Sequence, residues 1–425
     1  MKTLTILGGG SAYTPGLVQS LIRQASALPL RNVRLYDVDQ ARLDVVSRLC
    51  AGMARSAQAP FVVEAACTLE DALQGAGVVL NSTRPGGLVA RRIDETLPLE
   101  FGIPGQETVG PGGFFYALRS VPEALRVADA MAALAPGAIL LNLTNPSNIV
   151  TQALVDHGKV KVIGMCGQSD EDLEALGQAM GRPGLPACRC NGLNHATWYS
   201  ELAFDGVALC DLPNELEAPQ EFDDEHELRF AYSLQLAKAE ASGSWPNSYL
   251  PYYVFPHAFV EQARKAGPRS DVVAASLPHY YAHFAEQADL AHPQLRLFRG
   301  AGGFCDMAVT VIGALCADHP CELILNLPNA GATRWFADDT VIETHVKVSR
   351  HGIEHIAAPS LPDSFCELAV RLEKYQRLSA CAAVGCCEVL HVAALAANPM
   401  VGDLGLAQRL LDVARTRYGS LIRWP

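Results

Sequence analysis

Long apolar runs and an excess of positive charge are both absent from this 425-residue sequence. No uninterrupted apolar stretch reaches the roughly 18 residues needed to cross a bilayer, so we expect no membrane-spanning helix. The first residues run directly into glycines and contain no apolar segment of the kind that signal peptides use, so we expect a cytoplasmic protein. The net charge of −12 leaves no basic stripe for a nucleic-acid backbone, although a few local arginines can still hold one phosphate group.

Charged residues are also scarce, at 18% of the chain, while hydrophobic residues make up 49%. This balance indicates a globular protein with a large core and not a disordered one. A chain of 425 residues is too long for one ordinary core, so we expect two lobes that share an interface. The 13 cysteines are scattered, and without an export signal we expect them to be reduced and mostly buried as small apolar residues.

The first 166 residues alternate short apolar strands with helical stretches. Strands are predicted at residues 4–7, 33–36, 61–66, 78–81, 139–143 and 160–165. Helices are predicted between most of them, at residues 15–27, 42–54, 69–74, 117–135 and 148–156. Short apolar strands separated by helices predict an α/β fold with a doubly wound, Rossmann-type parallel sheet. We therefore expect residues 1–166 to form a dinucleotide-binding domain.

Residues 167–425 have a mixed pattern, with helical stretches at 224–241, 364–383 and 404–418 and no repeats. We expect them to form a second, mixed α+β lobe. One segment of the first part breaks the alternation, since Arg84–Gly113 is rich in glycine and proline. It predicts a long functional loop after the fourth strand, near the edge of the sheet where ligands bind.

A glycine cluster, Gly8-Gly9-Gly10-Ser11, follows the first predicted strand and precedes a helix. Glycines there let the backbone approach a pyrophosphate, and the helix N-terminus supplies amides and the positive end of a dipole. Asp37 ends the second strand, where an acid can bind the ribose hydroxyls of NAD and disfavour the extra phosphate of NADP. Tyr13 stands where the usual third glycine would be, so the cluster alone is also compatible with a simple tight turn.

Two residues with metal-binding side chains are Cys166, at the end of the sixth strand, and His195, about 30 residues later. A thiolate and an imidazole suit a borderline divalent ion and leave positions open for substrate oxygens. The residues alone leave open that both are ordinary packing side chains. The same holds for Asn145, which precedes Pro146 and for which we expect a cis peptide bond. It holds also for the tyrosines of Trp245–Tyr253, because a tyrosine acts as a base only when a nearby cation lowers its pKa.

Taken together, these motifs resemble glycoside hydrolase family 4, the NAD- and manganese-dependent glycosidases. The resemblance runs through nearly the whole chain and rests on the opening glycines through Pro15, Gly105–Gly113, Thr144-Asn145-Pro146, Cys166, Gly192-Leu193-Asn194-His195, Pro246–Pro256, Arg269 and Asn326–Ala332. It implies a fold like that of lactate and malate dehydrogenases, with residues 167–425 carrying the substrate and metal sites and the oligomer contacts. It further implies NAD and Mn²⁺ or another divalent metal as cofactors, a 6-phospho-glucoside or related phosphorylated sugar as substrate, and a homodimer or homotetramer.

The resemblance also implies an unusual hydrolysis. A hydride passes from C3 of the sugar to NAD, a base removes the C2 proton, the aglycone leaves by elimination, and water adds before the hydride returns. The implied residues are the base Tyr249, Glu107 as the acid that raises its basicity, the metal ligands Cys166 and His195, the substrate residues Arg91, Asn145, Asn194 and Arg269, and the NAD-binding residues Gly8, Gly9, Gly10, Ser11 and Asp37. Arg91 and Arg269 would hold the 6-phosphate.

One position departs from the family pattern. Gly167 follows Cys166 where 6-phospho-α-glucosidases usually carry the aspartate assigned as the acid, and where phospho-β enzymes tend to have asparagine. Glycine cannot donate a proton, so the acid for the leaving group and the anomeric preference stay open, with Asp170, a water or a good leaving group as alternatives. Two other functions stay open as well: an NAD-dependent sugar or hydroxy-acid dehydrogenase, and a non-catalytic relative that binds sugar phosphates.

Overall fold

Six parallel strands form the first part of a large sheet. The structure, a computed structural model, describes residues 2–182, 184–209, 214, 216, 217, 222, 224–299 and 304–425. The six strands are β1 (Thr3–Leu7), β2 (Asn32–Tyr36), β3 (Val62–Ala65), β4 (Val78–Asn81), β5 (Ile139–Asn142) and β6 (Lys161–Gly164). Their order across the sheet is β3-β2-β1-β4-β5-β6, and each pairs parallel with its neighbours. This order confirms the doubly wound, Rossmann-type fold.

Helices cover both faces of this sheet. They are α1 (Thr14–Arg23), α2 (Gln40–Ser56), α3 (Leu69–Leu73), α4 (Gly87–Thr96), α5 (Gly110–Leu134) and α6 (Ser147–His157). Alternate strand residues point to opposite faces, so Val78 and Leu80 join the core under α1 and α2, while Val79 joins the core under α5 and α6. Burial on both faces explains why these strands are continuous apolar runs in the sequence.

The long loop predicted for Arg84–Gly113 is wrong, because this segment contains α4, a 3₁₀ helix at Pro98–Phe101 and the start of α5. The glycines that suggested a loop serve tight turns and close packing instead. Gly86 has a φ of 83° and turns the chain into α4. A Cβ on Gly112 would stand 2.2 Å from the carbonyl oxygen of Gln106, so only glycine fits where α5 passes this backbone.

The second half of the chain extends the large sheet and adds a small one. The large sheet gains β11 (Cys321–Pro328), β12 (Val341–Ser349) and β13 (Gly352–His355), and β11 lies antiparallel beside β6. The small antiparallel sheet consists of β7 (Ala187–Leu193), β8 (Ala196–Phe204), β9 (Val207–Ala208) and β10 (Trp245–Pro246). A mixed second half is therefore confirmed.

Nine further helices belong to the described part of the second half. They are α7 (Gln168–Ala179), α8 (Glu225–Glu240), α9 (Pro251–Val254), α10 (Pro256–Ala266), α11 (Arg269–Ala288), α12 (Phe304–Ala314), α13 (Cys366–Gly385), α14 (Glu388–Ala397) and α15 (Leu404–Tyr418). Short 3₁₀ helices lie at Ala25–Ala27, Asp363–Phe365 and Gly419–Leu421. The helices predicted at 224–241, 364–383 and 404–418 are confirmed as α8, α13 and α15. Within the described ranges, no helix is long and apolar enough to cross a membrane.

The second half packs directly onto the first. Residues of α11 and α12 share a core with α1 and α2, and residues of α13, α14 and α15 share the opposite core with α5 and α6. The division at residues 166 and 167 stays a prediction, because these shared cores join the two parts. Of the described cysteines, Cys50, Cys190 and Cys305 are buried while Cys67, Cys381 and Cys387 are exposed. The expectation that most cysteines are buried is therefore wrong, since three of the twelve described cysteines are buried, six are partly buried and three are exposed.

Candidate active site

The carboxyl ends of the parallel strands open into a cavity of about 860 Å³. Residues from both halves of the chain line it, as expected for a ligand site at this edge of a doubly wound sheet. The predicted site residues on its wall are Gly8, Gly10, Ser11, Asp37, Arg91, Glu107, Asn145, Cys166, His195, Tyr249 and Arg269. Gly9 and Asn194 lie behind the wall and are not among the lining residues that the structure describes.

The glycine cluster forms the tight turn between β1 and α1. The N–H groups of Gly8 and Gly9 both donate to the carbonyl oxygen of Tyr36, at 3.0 and 2.8 Å. A Cβ on Gly9 would stand 2.8 Å from the Cβ of Leu35, so the turn excludes side chains where it crosses β2. Asp37 accepts a hydrogen bond of 2.9 Å from the N–H of Gly10, which fixes the carboxylate at the strand end. This geometry fits a dinucleotide, whose pyrophosphate needs a bare backbone and whose ribose needs an acid.

Cys166 and His195 meet on the wall of the same cavity. Cys166 follows β6, and His195 occupies the turn between β7 and β8 with a φ of 63°. The Sγ atom of Cys166 lies 3.3 Å from Nε2 of His195. Burial, and after it the positive charge of Arg229, lowers the pKa of His195 to about 3, so the imidazole stays neutral and can donate a lone pair. Burial raises the pKa of the Cys166 thiol, while a hydrogen bond from the side chain of Asn194 lowers it.

These residues fit an open metal site and not a closed one. Among the residues that the structure describes, no group of three or more His, Cys, Asp or Glu side chains is arranged around a single point. The Oδ1 atom of Asn194 is buried beside the pair and has no hydrogen-bond partner in the described ranges. A structural zinc site needs four protein ligands, whereas a catalytic site leaves positions for substrate or water. The metal role of Cys166 and His195 stays a prediction.

Tyr249 lies flat against His195. The two ring centroids are 4.1 Å apart and the planes differ by 5°. The guanidinium carbon of Arg229 stands 4.8 Å from the tyrosine ring centroid. Burial raises the pKa of Tyr249 to about 12, and the charge of Arg229 only partly opposes this effect. The phenol therefore stays protonated at neutral pH unless a further cation at the site lowers its pKa.

Glu107 lies among arginines. It forms ion pairs with Arg84 and with Arg91, the second at 3.1 Å between Oε1 and Nη1. Burial opposes ionisation of Glu107, but the positive charges of Arg84 and Arg91 outweigh burial and lower its pKa. Arg91 also pairs with Glu95 at 2.7 Å, so its guanidinium already serves two carboxylates. The proposed effect of Glu107 on Tyr249 stays a prediction, since the described contacts of Glu107 are with arginines.

Comparison with known protein families identifies the family of this chain. The model of the family 4 glycosyl hydrolases matches residues 3–177, and the model of their C-terminal domain matches residues 190–401. The chain belongs to glycosyl hydrolase family 4.

Individual proteins agree with this family 4 assignment. The protein named "Probable 6-phospho-beta-glucosidase" from Bacillus subtilis (strain 168) is 30% identical over 97% of this chain and 95% of its own length. The crystal structure of a 6-phospho-alpha-glucosidase from gut microorganisms, in complex with NAD and Mn²⁺, has a TM-score of 0.90 at 21% identity, covering 100% of this chain and 99% of that one. Malate dehydrogenase from Plasmodium falciparum has a TM-score of 0.57 at 9% identity over 90% of this chain and 100% of its own. The predicted dehydrogenase-like fold is thus confirmed.

The substrate residues predicted for this family 4 protein lie on two packed helices and a strand end. Arg91 is on α4 and Arg269 begins α11, with a surface ion pair of 2.9 Å between Arg92 and Asp271 joining the helices. Arg269 is exposed to the cavity, unlike Arg91, which is buried. The peptide bond between Asn145 and Pro146 is cis, as predicted.

The acid side chains near Gly167 occupy different places. Gly167 caps the N-terminus of α7, and Glu171 lies one turn further along on the cavity wall. Asp170 is not among the described residues that line the cavity, so the structure gives no support to it as the leaving-group acid. Burial raises the pKa of Glu171, and the charges of Arg229 and Arg269 oppose this effect.

Several residues that line the cavity of this family 4 protein were not predicted from the sequence. Arg84, His226, Arg229 and Arg299 all line the cavity. Arg229 lies within α8, and no motif surrounds it, so nothing local distinguishes it from a solvated arginine. The signal for Arg84 was its position directly after β4, at the carboxyl edge of the sheet.

Proposed function

We propose that this chain hydrolyses 6-phospho-glycosides, with 6-phospho-glucosides as the foremost class, using NAD and Mn²⁺ or another divalent metal. The observation that carries the proposal is the single cavity shared by the glycine turn, the Cys166–His195 pair and Tyr249. The names of the Bacillus subtilis relative and of the gut 6-phospho-alpha-glucosidase support the substrate class, although they differ in the anomer. A hydrolase needs such a set of groups only if the bond is broken through a transient oxidation.

Two sets of cavity residues bind the two cofactors. When bound, NAD supplies reversible hydride transfer and the metal supplies a Lewis acid for the sugar oxygens. The turn of Gly8–Ser11 and the carboxylate of Asp37 hold the dinucleotide. Cys166 and His195 hold the metal, with the neutral imidazole already in the protonation state that a ligand requires.

Tyr249 is the residue that takes the C2 proton in this proposal. Its stacking on His195 fixes the ring beside the metal ligands, and Arg229 over the ring favours the phenolate. Asn145 orients the sugar from the strand end, and Asn194 supports the site from behind. Arg269, with Arg91 on the neighbouring helix, binds the 6-phosphate through charge-assisted hydrogen bonds.

We also propose a cellular location and an oligomeric state for the protein. A phosphorylated sugar carries charge that keeps it from crossing a bilayer unaided, so we place the activity in the cytoplasm. We propose a homodimer or homotetramer, with residues 1–166 as the NAD-binding unit and 167–425 as the substrate, metal and assembly unit. Light scattering on the purified protein measures the assembly directly.

A panel of aryl 6-phospho-α- and 6-phospho-β-glycosides tests the activity, assayed with NAD and Mn²⁺ and with each omitted. We expect release of the aryl group only when both cofactors are present, with no accumulation of NADH. Stoichiometric NADH formation would indicate a dehydrogenase instead. Absence of turnover on the whole panel, with tight binding of glucose 6-phosphate, would indicate a non-catalytic binding protein.

A further inference from the structure

A buried carboxyl group lies directly behind the Cys166–His195 pair. Glu343, on β12, has 0% of its surface exposed. Its Oε2 accepts a hydrogen bond of 3.1 Å from Nδ2 of Asn194, and its Oε1 accepts one of 3.4 Å from the hydroxyl of Ser169. The largest influences on its ionisation are burial, the hydrogen bonds from Asn194 and Ser169 and the negative charges of Asp172 and Asp170, and none of these is a positive charge. The interior therefore holds a carboxyl group with hydrogen bonds but without a compensating positive charge.

Burial of an ionised carboxyl group costs free energy. Transfer of a carboxylate from water into the protein interior is unfavourable unless a positive charge or a metal ion compensates it. Burial raises the pKa of Glu343 to about 7, because the protein interior disfavours the charged form of the carboxyl group. A divalent cation bound close by would compensate the charge of this carboxylate.

Asn194 connects Glu343 to the pair. Its Nδ2 atom donates a hydrogen bond to Oε2 of Glu343, and a hydrogen bond from its side chain also lowers the pKa of the Cys166 thiol. It also directly precedes His195 in the chain. The negative charge of Glu343 reaches the sulfur as well, since it raises the pKa of the Cys166 thiol. Glu343 is thus hydrogen-bonded to Asn194, the residue next to His195, and its charge acts on Cys166.

We propose that Glu343 is a positioning residue for the metal, whose carboxylate holds Asn194 behind Cys166 and supplies buried negative charge that a divalent cation at the Cys166–His195 pair offsets. The inference rests on the proposed function. Groups behind the direct ligands fix ligand orientation and strengthen metal binding, and their loss typically weakens it.

A second buried carboxyl shows why Glu343 is the relevant one. Asp172 accepts hydrogen bonds from the N–H of Ser248 at 3.1 Å, from the hydroxyl of Tyr199 at 3.1 Å and from Nε2 of Gln168 at 2.8 Å. Arg229 also opposes the rise in its pKa. Asp172 is therefore compensated within the protein and anchors the loop that carries Tyr249.

Direct Mn²⁺ binding by calorimetry on the full chain loaded with NAD tests the inference, together with thermal unfolding of the metal-free protein. The variants are Glu343→Gln and Glu343→Asp. The matched control is Glu322→Gln, a surface glutamate on the adjacent strand β11 that pairs with Arg189 at 3.3 Å. We expect Glu343→Gln to raise the Kd for Mn²⁺ about 10- to 100-fold, with the control unchanged.

The metal-free protein should respond differently. Glu343→Gln should unfold at the same temperature as the starting protein or a higher one, because the uncompensated buried charge is gone. Its NAD affinity should not change, and Glu343→Asp, which keeps the charge, should bind Mn²⁺ with an affinity between the other two. If Glu343→Gln does not fold, weakened Mn²⁺ binding by Glu343→Asp relative to Glu322→Gln supports the inference.

Three results would overturn it. Unchanged Mn²⁺ affinity in the Glu343 variants would remove the positioning role while leaving the proposed function intact. Weaker Mn²⁺ binding accompanied by a lower metal-free unfolding temperature and weaker NAD binding would show a general structural role. Failure of the unsubstituted protein to bind Mn²⁺ would overturn the metal part of the proposed function and this inference with it.

Discussion

The imidazole of His195 and the phenol of Tyr249 lie face to face, with ring centroids 4.1 Å apart and planes within 5°. This stacking joins a candidate metal ligand to the candidate base, although the two residues belong to different turns of the second half. Since the pKa of Tyr249 is raised to about 12 by burial, a cation held by His195 is well placed to lower it. We therefore predict that metal binding and the basicity of Tyr249 are coupled in this site.

Replacing Tyr249 with phenylalanine removes one hydroxyl and leaves the ring stacking intact. Because a positioned base contributes about 10²–10⁴-fold to rate, Tyr249→Phe should lower kcat by that factor and change KM little. Steady-state kinetics on an aryl 6-phospho-glucoside measures both constants. In D₂O, the sugar released by the unsubstituted protein should carry solvent deuterium at C2. Full activity of Tyr249→Phe together with a product free of deuterium would exclude the elimination route.

Arg269 is exposed to the cavity, while Arg91 is held by Glu95 and Glu107. A charge-assisted hydrogen bond to a phosphate is worth roughly 1.5–3 kcal/mol. We therefore expect Arg269→Ala to raise KM for a phosphorylated glycoside about ten- to a hundredfold. Activity on the corresponding non-phosphorylated glycoside provides the comparison. An equal loss on both substrates would show that Arg269 does not recognise the phosphate.

His195 predicts a pH dependence of stability. Burial lowers its pKa in the folded state to about 3, below its usual value of 6.5. Between these values only the unfolded state takes up the proton, so the free energy of unfolding falls as pH drops below about 6.5. For the metal-free protein, urea unfolding at pH 7 and pH 5 should show a loss from this group of about 1–2 kcal/mol. His195→Gln should lose that much less, and an identical loss in both proteins would contradict the assignment.

Two arginines on α5 offer a matched test of buried and exposed ion pairs. Arg119 pairs with the buried Asp94 at 2.7 Å, whereas Arg126 pairs with Glu123 at 2.6 Å on the surface. Arg119→Ala leaves the carboxyl of Asp94 buried without its cation, which should lower the free energy of unfolding by about 3–5 kcal/mol. Arg126→Ala should lower it by less than about 1 kcal/mol. Urea unfolding measures both, and equal effects would refute the distinction.

The strands of the first half could be predicted from the sequence because their signals are local. The predicted strands at 4–7 and 78–81 agree with β1 and β4 to within a residue, since strands buried on both faces are apolar throughout. The loop predicted for Arg84–Gly113 was wrong because the role of its glycines depends on contacts with other parts of the chain. Its glycines relieve close contacts with backbone elsewhere in the chain, such as that of Gly112 with Asp94, and a sequence pattern cannot distinguish this from loop freedom.

Much of the site depends on contacts between distant positions. The pairing of Arg91 with Glu95 spans four residues and follows from a helix once α4 is recognised. Arg84 with Glu107, Arg229 with Tyr249 and Glu343 with Asn194 are long-range, and none has a local signature. The joining of β11 to β6, through Asn326 and Gly164, likewise requires the whole sheet to form.

Local sequence is enough to show which chemical groups this protein can use: a bare backbone turn at Gly8–Ser11, an acid at Asp37, a thiol, an imidazole and a phenol. Each is a property of one residue or of a short run within one element. The packing of distant elements places Cys166 and His195 3.3 Å apart, pairs Arg91 with two carboxylates and buries Glu343. Distances and charges at a site depend on how whole elements pack, and packing is set by apolar burial summed over the entire chain.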